Sequence, residues 1–231
     1  MYAAYLKRPL DIILSLAAII VLSPVLLVLT AVGAATMGGN PFFVQPRPGK
    51  KDKNGQEKIF YMIKFRSMNN RKDKNGNLLP DDQRLTKYGK FIRATSLDEL
   101  PELFNILKGD MSIVGPRPQL VRDMVFMTPE QRARHDVMPG LTGLAQVNGR
   151  NNITWEEKFQ YDLAYIEEGI TFAKDVKIIL RTVGKVFGRA DTVREGTASD
   201  LDFGDWLIQS GKVDQETYEK KQEEARTLLK V

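Results

Sequence analysis

Residues 10–37 form a mostly apolar run, interrupted by Asp11, Ser15, Ser23, Thr30, Gly33 and Thr36. As a helix rising ~1.5 Å per residue it reaches ~42 Å, enough to cross a bilayer with tilt. Two features restrict how it does so. Pro24 sits in the middle, where it removes a backbone hydrogen bond and bends a helix, while Ser23 beside it can satisfy the freed carbonyl. Both flanks are basic, with Lys7 and Arg8 before the run and Arg47, Lys50, Lys51 and Lys53 after it. The positive-inside rule then puts both ends on one side. A re-entrant helix-break-helix hairpin, entering and leaving one leaflet, meets both restrictions and is preferred to a span. Asp11 is costly in hydrocarbon and is expected at the interface beside Lys7 or Arg8. The run is too long for a cleavable signal peptide, and it continues into the domain without a break.

A second stretch, residues 93–118, reads RATSLDELPELFNILKGDMSIVGPRP. Ser96 followed by Glu99 has the spacing of a capping box. Leu100, Leu103, Phe104 and Leu107 recur at helical spacing, and Gly109 is placed to end the helix. Pro101 is late for a helix that begins at Ser96, so the helix starts later or its first turn is distorted. Asp98 and Glu99 have two readings. They are ordinary first-turn acids, or they line one pocket as a nucleophile and a ligand for a hard cation. Arg117, between Pro116 and Pro118, is held in an extended loop that suits a pre-organised bidentate phosphate ligand.

Elsewhere the chain alternates short elements. Residues 42–49 read as a loop whose Pro46-Arg47-Pro48 echoes the later Pro-Arg-Pro. Residues 59–68 read as a strand with Ile59, Tyr61, Ile63 and Phe65 on one face and Lys64 and Arg66 on the other. That cationic face lines an anion site or is simply solvated. Leu85, Tyr88, Gly89 and Ile92 fit one side of a helix. Residues 144–147 suggest a short strand before an Asn148-Gly149-Arg150 turn. Thr128 and Thr154 open helices, and Asp162 and Tyr165 share a side of the second. Residues 172–187 are amphipathic, with Phe172, Val176, Ile179, Leu180 and Val183 against Lys174, Lys177, Arg181 and Lys185. Such a helix lies on an anionic membrane surface or packs on a core. Residues 188–202 read as a linker, before a charged helical tail.

Absent residue types narrow the chemistry. There is no cysteine, so disulfides and thiolate sites are excluded, and His135 is the single histidine, with no nucleophile-elbow motif to accompany it. The net charge of +5 suits an anionic partner.

The runs KRPLD, Ser23-Pro24, QPRPGK, KFRSM, SLDELPELFNILKGDMSIVGPRP and PGLTGLAQVNGR together resemble the bacterial sugar transferase family. These are monotopic polyprenyl-phosphate phosphoglycosyl transferases, and the likeness is to the small members that are little more than the catalytic domain. Leu144 stands where the family usually has tryptophan, and the tail beyond Asp191 lies outside the resemblance. The resemblance implies a mixed α/β or α+β fold of short strands and interfacial amphipathic helices. It divides the chain into a membrane hairpin at 1–40 (Arg8, Ser23, Pro24), a catalytic domain at 41–190 and a tail at 191–231. It implies transfer of a sugar 1-phosphate from a nucleoside diphosphate sugar, usually a UDP-sugar, to polyprenyl phosphate at the cytoplasmic face of a bacterial inner membrane. Asp98 is the implied nucleophile and Glu99 the Mg²⁺ ligand; Lys64, Arg93, Arg117 and Arg150 are the implied phosphate-side cations, with Asp162 nearby. Nucleic acid is not an expected partner. The alternatives are a basic membrane-anchored scaffold without catalysis, and a transferase that moves the sugar alone and releases UDP.

Overall fold

The computed structural model describes residues 1–149, 153–188 and 201–230. After a π-helical turn, Tyr2–Leu6, the apolar run forms one helix, α1 (Lys7–Met37). The turn and helix together are long and apolar enough to cross a membrane, and 11% of the most apolar window is buried. The expected break is missing, because the helix continues through Pro24. Proline has no N–H to offer the Ile20 carbonyl one turn back. The Ser23 hydroxyl donates to that oxygen instead, at 2.8 Å.

The less exposed positions of α1, among them Asp11, Ser15, Ala18, Leu26, Leu29 and Gly33, recur every three or four residues and so form one stripe. The stripe lies against the remainder of the protein from end to end. Asp11 accepts hydrogen bonds from the Ser112 hydroxyl (2.7 Å) and the Ile113 N–H (3.1 Å). Ala18 and Ile19 pack on a core of Phe60, Met62, Leu103, Ile106 and Met111. Leu26 and Leu29 meet Phe65 and Ile92, and the Tyr88 hydroxyl donates to the Leu29 carbonyl at 2.9 Å. Asp11 is thus buried in protein and not at an interface beside Lys7 or Arg8; the partner of Lys7 is Asp175. The other side of α1 leaves Ile13, Leu16, Ile20, Val21, Leu27 and Val28 exposed.

Two small sheets follow. β1 (Phe42–Lys51) pairs antiparallel with β2 (Glu57–Phe65). Residues 42–49, expected as a loop, are strand because both strands of a two-stranded sheet are edges, where proline is tolerated. In β2, Phe60 and Met62 are buried on the side that Lys64 shares by parity, while on the other side Tyr61 is 59% exposed and Phe65 is buried. Next come α2 (Asp81–Arg84) and α3 (Lys87–Ala94). α3 sits so close to the preceding segment that a Cβ on Gly89 would lie 1.9 Å from the Ser67 carbonyl oxygen.

The helix expected from Ser96 begins later. Leu97–Glu99 is a 3-10 turn, Ser96 is left-handed at φ 55, and α4 (Glu102–Lys108) starts after Pro101. Gly109 ends it at φ 99, as expected. Arg8 donates to the Leu107 carbonyl at 3.1 Å, which places a cation at the negative end of α4. β3 (Ser112–Val114) pairs in parallel with β4 (Gly140–Thr142) across α5 (Val121–Met124) and α6 (Pro129–Arg132). Residues 144–147 belong to a helix, α7 (Leu144–Asn148), so the strand lies just before the expected position. α8 (Trp155–Glu167) carries the expected Thr154 capping box. α9 (Phe172–Gly188) buries Asp175 and Ile178, while Phe172, Leu180 and Val183 are exposed. The tail packs back on the domain. In α10 (Phe203–Gln209), Phe203 joins Met127, Trp155 and Phe159; in α11 (Gln215–Leu228), Ala225 meets Val121, Met124 and Val125.

Candidate active site

The Leu97–Glu99 turn stands over the end of β2, and the loop after β3 faces it. Lys64, near the end of β2, reaches Glu99 at 2.9 Å. Arg117, in the Pro-Arg-Pro loop, bonds the same Glu99 oxygen. Beneath them Glu102 is fully buried; Lys64 lies 3.1 Å from it but makes no hydrogen bond to either carboxylate oxygen. Burial and its acidic neighbour Glu99 raise the Glu102 carboxyl, against the pull of Lys64. Glu99 holds the Arg117 guanidinium firmly protonated. Among the described residues no cation is bonded to Asp98. Burial, then the charge of Glu99, push its carboxyl up to about 6, opposed by Lys64, Arg93 and Arg117. Arg93 is steadied from α3 by a 2.9 Å bond to the Ser67 hydroxyl.

Lys64, Arg93, Asp98, Glu99 and Arg117 line one cavity of ≈ 670 Å³, together with Arg47, Arg66, Arg84, Trp155, Lys158 and Asp162. The structure therefore brings Asp98, Glu99, Lys64, Arg93, Arg117 and Asp162 together. Arg150 lies outside the described residues. Arg8, Ser23 and Pro24 belong to α1 and do not line the cavity. Asp162 is used differently from a surface ligand. It accepts from Arg134 Nε (3.0 Å) and NH2 (2.6 Å), and the same NH2 donates to the Arg117 carbonyl at 2.6 Å. Asp162 thus fixes Arg134, which fixes the backbone of the Pro-Arg-Pro loop. His135, buried against Glu57, is held neutral by that burial, its ring lowered to about 4.

The sequence pattern did not reveal Glu102, Arg134 or the place of Arg47. Arg47 donates to the Pro118 carbonyl at 3.2 Å, and its desolvation, then its nearness to Arg117, lower it to about 10. The echo of Pro-Arg-Pro in Pro46-Arg47-Pro48 was the signal for it. Among the described residues no three ligating side chains group as a metal site. Mg²⁺ commonly takes one or two carboxylates and completes its shell with water and substrate phosphate. Asp98 and Glu99, facing a cavity rich in cations, fit that pattern.

Comparison with known proteins finds related sequences. Residues 2–189 match the model of the family described as bacterial sugar transferase. The chain is 46% identical over 181 residues to the uncharacterized sugar transferase EpsL of Bacillus subtilis, covering 78% of this chain and 87% of EpsL. It is 43% identical over 191 residues to the UDP-glucose:undecaprenyl-phosphate glucose-1-phosphate transferase of Klebsiella pneumoniae, covering 78% of this chain and 40% of that protein. It is 35% identical over 202 residues to the undecaprenyl-phosphate galactose phosphotransferase of Salmonella typhimurium, 80% of this chain and 41% of that one. The chain thus spans well under half the length of these two larger relatives. The described tail, residues 201–230, lies beyond the family match.

Proposed function

This chain belongs to the bacterial sugar transferase family, and on that premise we propose that it transfers a sugar 1-phosphate from a UDP-sugar to polyprenyl phosphate. The observation that carries the reading is a half-buried carboxylate, Asp98, with Lys64, Arg93 and Arg117 lining the same cavity. The cations hold the donor's diphosphate and spread its charge. The Asp98 carboxylate attacks the phosphorus that bears the sugar, the phosphoanhydride bond breaks, and UMP leaves with the bonding pair. The acceptor's phosphate oxygen then attacks the phosphosugar on Asp98 and frees the carboxylate. A covalent intermediate lets one site meet two anions in turn. Glu99 would hold Mg²⁺, which when bound neutralises charge on the diphosphate. Asp162 acts by positioning, through Arg134.

The same reading places residues 1–40 in the membrane, with 41–190 as the catalytic part at the cytoplasmic face of the bacterial inner membrane. Support comes from α1, whose two ends and middle all touch one domain while its other side is apolar and exposed. We read docking along the whole length of an unbroken helix as holding both of its ends on the side of that domain. Exposed Phe172, Leu180 and Val183 of α9 extend the apolar contact. Intact-mass measurement after incubation with donor alone tests the chemistry. Wild type should gain a phosphosugar and release UMP, and Asp98→Asn should do neither. Release of UDP, or full turnover by Asp98→Asn, rejects the scheme.

A further inference from the structure

The tail reaches the cavity. Leu201 and Asp202 form part of its lining, next to Gln119 and Asp123. The segment is tied down by several contacts. Trp155 donates its indole N–H to the Leu201 carbonyl at 3.3 Å, the Gly204 N–H donates to Asp123 at 3.3 Å, and Arg122 binds both Asp202 and Asp205. Phe203 then inserts between Trp155 and Phe159, at ring distances of 5.2 and 5.1 Å.

Bonded and packed contacts order the groups of the cavity. Glu99, next to Asp98, holds Arg117. Arg47 donates to the Pro118 carbonyl of the same loop, and α5, which carries Asp123, packs on β1, which carries Arg47. Asp123 in turn holds the Gly204 N–H beside Asp202. The order of groups is therefore Asp98, Arg117, Arg47, then Asp123 and Asp202. A nucleoside diphosphate sugar whose sugar-bearing phosphorus faces Asp98 meets Arg117 with that phosphate and Arg47 with the next. The group after the second phosphate is a ribose, whose vicinal hydroxyls are donors that carboxylates recognise well. Asp162, 2% exposed and with its Oδ1 lacking a hydrogen-bond partner, lines the same cavity, as does the similarly unpartnered Gln146 Oε1.

We propose that the tail segment at residues 201–205 completes the donor site, with Asp202 and Asp123 accepting hydrogen bonds from the ribose hydroxyls of the nucleotide. This rests on the donor reading above. The segment lies outside the family match, so the nucleoside end of the site is built partly from sequence that this chain adds.

The experiment compares UMP and 2′-deoxy-UMP as ligands of the purified full chain, by calorimetry and as inhibitors of UMP-releasing turnover. Wild type should prefer UMP by roughly tenfold, the value of one hydrogen bond to a carboxylate. Asp202→Ala should bring the ratio close to one, and Asp123→Asn should lower it as well. Lys212→Met, farther along the tail, should leave it unchanged. The thermal transition of each variant shows whether it is folded. If wild type binds both nucleotides equally, or folded Asp202→Ala and Asp123→Asn keep the preference, the tail's role is overturned while the donor reading stands. If wild type neither binds UMP nor releases it from any UDP-sugar, the donor reading falls as well.

Discussion

Asp98 can act as a nucleophile only after losing its proton, and burial beside Glu99 raises its carboxyl to about 6. The raised value means that the inactive, protonated form accumulates as pH falls through that point. Donor turnover should therefore drop about tenfold for each pH unit below it. A profile of kcat/KM that stays level down to pH 5 would contradict this. Arg134 belongs to the same scale. Lysine at that position is shorter and lacks the planar fork with which Arg134 holds Asp162 through two nitrogens and the Arg117 carbonyl through one of them. Arg134→Lys and Asp162→Asn should each reduce kcat by roughly ten- to a hundredfold, and their losses should not add, because each breaks the same chain of contacts. Additive losses would show two independent roles. Asp98, Glu99 and Arg117 were singled out as one group by the family resemblance; the capping box that the local pattern offered at Ser96 is not formed, because Ser96 is left-handed and the helix starts after Pro101. Glu102 and Arg134 were not singled out, because each looks like an ordinary polar helix residue until distant segments bury it.

Among the elements, α1 shows how a proline can be accommodated without a break. Ser23→Ala should leave the Ile20 carbonyl without its donor and cost about 1 kcal/mol. Adding Pro24→Ala restores an N–H to that carbonyl and should recover the loss; thermal unfolding in detergent reads both. The crossing of β3 and β4 is less forgiving. A Cβ on Gly140 would lie 2.1 Å from the Gly115 nitrogen, immediately before the Pro-Arg-Pro loop. Gly140→Ala should destabilise the protein by about 1–3 kcal/mol and displace Arg117, with activity lost more steeply than stability. Helix starts at Thr128 and Thr154 were readable because a capping box is local. The strand at 42–51 was not, because pairing with another segment decides it.

For the whole molecule, the apolar run announced a membrane association, while the hairpin expected from its two basic flanks is not formed, because α1 runs unbroken through Pro24. What no local pattern could convey is that α1 lies along the domain over its full length. Cysteines introduced at Tyr2 and Lys51 should accordingly label from the same side of sealed vesicles, and labelling from opposite sides would contradict the docked arrangement. The bonds from Ser112 and Ile113 to Asp11, and from Tyr88 to Leu29, fix the helix to the domain at two levels. On the proposed docking at one surface, the height of Asp98 is gauged from the near face of the bilayer, with no reference to the far one. Reconstituted in lipids of increasing acyl length, the protein should turn over at a nearly constant rate, where an enzyme held across both surfaces would lose register with its acceptor.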